Sequence, residues 1–136
     1  MNYRRYFEFE CMSENLVVNW IEPCLIGDTI SEIVWSELSE IIGKYRPSAL
    51  VMNFKAVNGI SSSVIGCLIK VQKELKRYGG QMRLVSVSST MLEIFRTLNL
   101  LGNHFSVCDH IDDAMRESPR RVEAEMQIRL EEIAQT

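Results

Sequence analysis

The sequence predicts an α/β domain: a mixed β-sheet of four to five strands, about four flanking helices, and a further helix at the C-terminus. Two patterns carry this. From Leu50 onward, short apolar runs alternate with segments whose apolar residues recur at helical spacing, which is the signature of strands joined by helical crossovers. Before Leu50, two extended runs follow one another with only a few polar residues between them, so an antiparallel pair joins an otherwise parallel layer. At 136 residues, without a long Pro-, Gly- or Ser-rich linker, the chain fits one core.

Phe7, Phe9 and Cys11 alternate along the first strand, and Leu16 to Ile21 forms the second, with Ser13, Glu14 and Asn15 as the turn. Asp28 and Thr29 then precede Ile30, Ile33, Val34, Leu38, Ile41 and Ile42, a helical stripe in which Glu32 is placed to close a capping box with Thr29. This helix should end between Gly43 and Arg46, before Pro47. Leu50 to Phe54 reads as a buried strand. Val64, Ile65, Leu68, Val71 and Leu75 mark the core face of the second helix, which stops at Gly79 and Gly80. Met82 to Val87 is the next strand, and Ser89 or Thr90 caps a third helix carrying Leu92, Phe95 and Leu98. Phe105 to Cys108 is a short strand, after which Asp109 leads into a fourth helix through Met115.

Beyond Pro119 the composition shifts to good helix formers, with Val122, Met126, Leu130 and Ile133 at helical spacing among charges. The division expected is therefore a domain over residues 1–117 and a C-terminal helical extension over 118–136. The alternatives are a frayed tail and an ordered fifth helix; if ordered, its apolar stripe must bury on this domain or on a second copy, which makes it the candidate contact for a homodimer.

Composition narrows the function classes. A net charge of −3 with scattered basic residues speaks against nucleic acid, and the one dense group, Lys70, Lys73, Lys76 and Arg77, reads as a solvated helix face. The four cysteines lie far apart without a CxxC pair, so neither zinc nor a dithiol centre is indicated, and they read as small core residues of a protein in the reducing cytoplasm. No apolar run is long enough to insert in a membrane, and the N-terminus lacks a signal-peptide core.

Catalysis lacks its ingredients. His104 and His110 stand in no metal-ligand pattern, GxGxxG, GxxxxGK[ST] and GxSxG are all missing, and no cofactor or metal site is expected. A phosphoacceptor aspartate at the end of a central strand would have to stand where this chain has Asn53, whose amide cannot be phosphorylated. What remains is Ser61, Ser62 and Ser63 at the mouth of the second helix. There the free N–H groups and the positive end of the helix dipole tolerate an added anion, by about 0.3–1 kcal/mol per charge. One serine is expected to act as the N-cap, and a cap does not account for three.

These segments together resemble the STAS domain of bacterial anti-sigma factor antagonists. The family pattern is a VVxDL-like strand, a DSSGLG-like segment opening a helix, a GG stop, a strand, a Ser/Thr-capped helix ending in an NLL-like element, and a last acidic helix. The counterparts here are LVMNF (50–54), ISSSVIG (60–66), YGGQMRLVSVSSTMLEIFRTLNLLG (78–102) and IDDAM (111–115), so the resemblance spans roughly Phe7 to Met115. It implies a non-enzymatic regulatory module that binds an anti-sigma factor with serine kinase activity and is released on phosphorylation. By position the acceptor is Ser62. Ser61 replaces the usual aspartate, Val64 adds bulk where glycine is usual, and Asn53 replaces the strand aspartate. Ser61 or Ser63 as a shifted acceptor, and a permanently unphosphorylated scaffold, therefore stay open. The expected docking surface comprises Asn58, Ser61, Ser62, Ser63 and Ile65, joined by the loop from Cys24 to Asp28.

Overall fold

The computed structural model describes residues 2–102 and 105–108. The expected fourth helix, the extension over 118–136 and both histidines lie outside these residues. Six strands form the main sheet: β1 (Asn2–Tyr3), β2 (Phe7–Met12), β3 (Asn15–Trp20), β5 (Ala49–Asn53), β7 (Gln81–Val85) and β8 (Ser106–Cys108). They lie side by side in that order. Pairings from β1 to β3 are antiparallel and those from β3 to β8 are parallel. The mixed sheet is thus as expected, one short edge strand larger. A second, two-stranded sheet pairs β4 (Cys24–Leu25) with β6 (Gly59–Ile60) in parallel.

The β2–β3 turn is tighter than the polar triplet suggested. Asn15 already pairs with Met12, which leaves only Ser13 and Glu14 in the loop, and Ser13 takes the left-handed conformation such two-residue turns require (φ 59°).

Helices α1 (Asp28–Tyr45), α2 (Ser62–Arg77) and α3 (Ser89–Thr97) supply one side of the core. Val34, Leu38, Ile41 and Ile42 of α1 and Val64, Leu68, Val71 and Leu75 of α2 pack with Leu16, Val18, Leu50, Met52 and Leu84 of the sheet. Phe7, Trp20 and Phe54 fill the same layer, with ring centroids 5.5 Å apart for Phe7 and Trp20 and 6.0 Å for Trp20 and Phe54. Alternation along each strand sends Val17, Val51 and Val85 to the opposite face, where they form a smaller cluster with Cys108 against it.

Three local expectations are corrected. The Thr29–Glu32 capping box does not form: α1 begins at Asp28 with Gly27 as N-cap (φ 111°), a conformation open to glycine, and no side chain caps it. The third helix is capped by Ser88, whose Oγ accepts from the Met91 N–H at 3.2 Å, one residue before the serine expected. Of the expected stripe Phe95 is buried and Leu92 partly so, Met91 joins them, and Leu98 stands exposed at the C-cap. Finally, only Cys67 is a buried cysteine; Cys11 and Cys24 are exposed and Cys108 is partly buried. Cys11 ends the β2 alternation where the strand has passed the helices, so the odd-numbered face it shares with Phe7 and Phe9 is open there.

Candidate functional site at the start of α2

The apolar strand β5 delivers the chain to the carboxyl end of the sheet, and the five residues 54–58 then return it to the edge of β4. Asn58 and Gly59 both donate backbone N–H bonds to the Pro23 carbonyl, at 2.7 and 3.1 Å, and Ser61 N–H donates to the Leu25 carbonyl at 3.0 Å. The β4–β6 ribbon therefore fixes where α2 begins. Neither strand has the length or alternation that betrays a strand in sequence, so this tie was not legible beforehand.

The three serines have three different environments. Ser61 is extended (φ −90°, ψ 162°) and is the N-cap: its Oγ accepts from Val64 N–H at 3.4 Å and from Gly27 N–H at 3.2 Å. The same Oγ lies 3.0 Å from Ser63 Oγ. Ser63 is further engaged through its carbonyl, which accepts from Ser31 Oγ at 3.0 Å. Ser62 is exposed, and its hydroxyl makes no hydrogen bond among the described residues. Helix geometry explains the split: the N-cap and the second helical position face the α1 terminus, and the residue between them faces outward.

The remaining expected residues are divided by the fold. Asn58 is exposed beside the ribbon, and Asp28 is exposed on the first turn of α1, next to the Gly27 that is bonded to Ser61. Ile65 is not on this surface. It is 5 % exposed and belongs to the core, because it lies on the same stripe as Leu68 and Gln72. Val64 is wholly buried as well, so its extra bulk relative to glycine is accommodated inside the domain and not on the approach to Ser62.

Asn53 has a structural duty of its own. Its Oδ1 accepts from Lys55 N–H at 3.0 Å, closing the turn after β5, while its Nδ2 donates to Asn19 Oδ1 at 3.1 Å. A carboxylate could accept the first bond, and would keep the second only with the Asn19 amide turned to donate its Nδ2. Ser31 was not anticipated either. It lies one turn into α1, where its hydroxyl donates to the Ser63 carbonyl beside the Cys67 thiol. Burial pushes that thiol up from 9.0 to about 11, against smaller lowering effects of the Lys70 ammonium and of Ser31.

The arrangement offers a free hydroxyl at a helix N-terminus with no acidic residue in the first turn. It offers no acid–base pair beside that hydroxyl, and among the described residues no group of three His, Cys, Asp or Glu side chains is placed to hold a metal. The basic group on α2 is exposed along its length, as a solvated face should be. Among the described residues, no helix is long and apolar enough to cross a membrane.

No curated protein matches the chain by sequence. Solved structures do match in fold. The phosphorylated form of SpoIIAA, a Bacillus cell fate determinant, is 22% identical with a TM-score of 0.62, over 80% of this chain and 96% of its own. The unphosphorylated form of the anti-sigma factor antagonist SpoIIAA matches 90% of this chain and 97% of its own, at 19% identity and a TM-score of 0.61. An anti-sigma-factor antagonist (STAS) domain protein from Planctomyces limnophilus reaches a TM-score of 0.69 at 17% identity, over 79% of this chain and 92% of its own. At such identities the likeness is one of fold. The sequence pattern of a family adds the rest: it aligns with residues 11–114, from the β2–β3 hairpin through the serine-capped α2 and beyond β8, and by that match the chain belongs to the STAS domain family.

Proposed function

We propose that this protein is a regulatory binding module of the anti-sigma factor antagonist type, which docks an anti-sigma factor with serine kinase activity through the start of α2 and is switched by phosphorylation of Ser62. The observation that carries the proposal is the division of labour among the three serines. Ser61 caps, Ser63 is tied to Ser61 and to Ser31, and Ser62 alone presents a free hydroxyl. Family membership and the fold shared with SpoIIAA support the same reading.

The switch follows from electrostatics. A phosphoserine adds about −1.5 to −2 charges, which the exposed N–H groups and dipole of α2 can stabilise without refolding the domain. The cost falls on the interface, where the dianion meets a partner that had packed against a neutral hydroxyl. A loss of about 2.7 kcal/mol there weakens binding about a hundredfold. In this reading Asn58, Asp28 and the Cys24–Asp28 loop complete the docking surface, the protein itself is not an enzyme, and it works in the cytoplasm.

Phosphopeptide mapping over Ser61 to Ser63, on protein recovered from growing and from stressed cells, tests the reading. Condition-dependent phosphate on Ser62 is the expected result. Phosphate on Ser61 or Ser63 instead would move the acceptor, and an unmodified peptide under every condition would remove the switch. One observation favours a second reading, a scaffold that binds without being modified: the cap is a neutral serine and the next small position is a buried valine, both departures from the family segment. Under that reading Ser62→Glu leaves partner binding unchanged.

A further inference from the structure

The face of the molecule remote from Ser62 has a feature that the switch does not use. Five cation–ring contacts occur among the described residues, several times the usual frequency of roughly one per 70–80 residues. Three of them adjoin one another. Arg4 lies over Phe9 at 5.6 Å, Phe9 meets Tyr45 edge-on at 6.1 Å, and Lys44 lies over Tyr45 at 5.1 Å. Arg46, the next residue, takes a left-handed conformation (φ 44°) that carries its guanidinium over Tyr78 at 5.0 Å. Tyr45 and Tyr78 remain 39% and 36% exposed, and the cations are exposed. Beside Tyr45 and Arg46 opens a cleft of about 350 Å³, bounded by Cys11, Leu16 and Pro47, in which Glu14 is already engaged by Ser48 Oγ at 3.3 Å.

We infer that this aromatic and cationic surface is the seat of residues 122–136 of the same chain, held by ion pairs around an apolar contact. The complement is chemical. That segment, VEAEMQIRLEEIAQT, carries four glutamates against one arginine, and its apolar residues Val122, Met126, Leu130 and Ile133 recur at helical spacing. An apolar stripe flanked by carboxylates matches aromatic rings flanked by Arg4, Lys44 and Arg46. Phe9 is buried beneath Arg4, but Tyr45 and Tyr78 can each take an aliphatic side chain while the cations at the rim take carboxylates.

The connection is long enough. β8 and β1 are the opposite edges of the six-stranded sheet, roughly 24 Å apart at the usual strand spacing, and Cys108 stands at the carboxyl end of the strands while the patch lies at the amino end of the five-residue β5, so the gap is roughly 29 Å. The thirteen residues between Cys108 and Val122 span up to about 45 Å when extended. Tethering through so short a linker gives an effective concentration in the millimolar range, which favours a seat on the chain's own body over one on a second copy. This inference does not depend on Ser62 being a phosphoacceptor.

Zero-length carbodiimide cross-linking of the full chain, followed by peptide mass spectrometry, reads the seat directly. Lys44 is the only lysine of the patch, and the expected product joins it to Glu123, Glu125, Glu131 or Glu132 within the monomer band. The yield should fall at least about fivefold in the Arg4→Glu, Arg46→Glu double variant, with Lys44 untouched, and also in wild-type protein at 1 M salt, where the Debye length is about 3 Å. The salt arm needs no variant to fold. Absence of these linkages in the wild type, or a yield indifferent to both charge reversal and salt, would overturn the seat. Linkages confined to a dimer band would overturn the intramolecular form and assign the segment to a second copy.

Discussion

Ser61 and Ser62 are adjacent in sequence and opposite in circumstance, and the difference is measurable. Ser61 holds two backbone donors, Val64 N–H and Gly27 N–H, so Ser61→Ala should cost about 1 kcal/mol in urea denaturation and loosen the start of α1 along with that of α2. Ser61→Asp keeps both acceptors and adds a favourable charge at the helix terminus, so it should be neutral or stabilising by a few tenths of a kcal/mol. Cys67 makes the second prediction at this scale. The unfolded chain releases the thiol proton near pH 9 and the folded chain near pH 11, so the thiol's contribution is intact below pH 9 and is lost as the pH rises to 11. Two pH units correspond to about 3 kcal/mol. Denaturation curves of the wild type should therefore lose stability between pH 9 and 11 faster than those of Cys67→Ala, and iodoacetamide at pH 8 should label Cys11 and Cys24 while sparing Cys67.

Among the elements, the end of α2 is the most tightly constrained. Gly80 donates its N–H to the Leu75 carbonyl at 2.9 Å, and a Cβ added there would stand 2.6 Å from the Pro47 carbonyl oxygen. That neighbour is backbone, so it cannot rotate away. Gly80→Ala should cost about 1–3 kcal/mol, seen as a lower denaturation midpoint at unchanged m-value. Gly79 stands one residue earlier with φ 76° and open space around it, so a substitution there is penalised by its backbone conformation and not by a clash. The pair read in sequence as a single helix stop therefore does two separate jobs. Elsewhere, element existence was legible because α1, α2, β3 and β5 each carry a long run of one period. The caps were less so: Gly27 and Ser88 won over Thr29 and Ser89 because backbone direction into the helix, set by the preceding strand, decides which residue stands at the N-cap.

For the whole molecule, the switch proposal requires that charge at Ser62 change binding and not folding. Ser62→Glu should leave the thermal midpoint within about 2 °C of wild type, since a carboxylate at an exposed helix N-terminus is stabilising by only tenths of a kcal/mol. Its affinity for the partner should fall by one to two orders of magnitude, while Ser62→Ala binds as the unmodified protein does; calorimetric titration with the partner reads both. Equal affinities for the two variants would leave the scaffold reading. The site itself was partly legible. Three consecutive hydroxyls at a helix start announced it, and the neighbourhood of Asp28 followed from the expected loop; the apolar spacing also placed Val64 and Ile65 on the core face, and that burial is what removes Ile65 from the expected docking surface.

The local chemistry of this chain came from its sequence alone: the strand and helix periods, the α/β order, the hydroxyl cluster at the head of α2, and the family to which that order belongs. Those are properties of short segments, fixed by side-chain spacing and backbone propensity. The tertiary structure decided which serine is free. Ser61 and Ser63 are occupied because α1 begins beside α2, held there by Gly27 N–H and Ser31 Oγ, residues 34 and 32 positions away. No local pattern encodes that meeting, since it depends on the parallel pairing of β4 with β6, two strands of two residues each that are far apart in the chain.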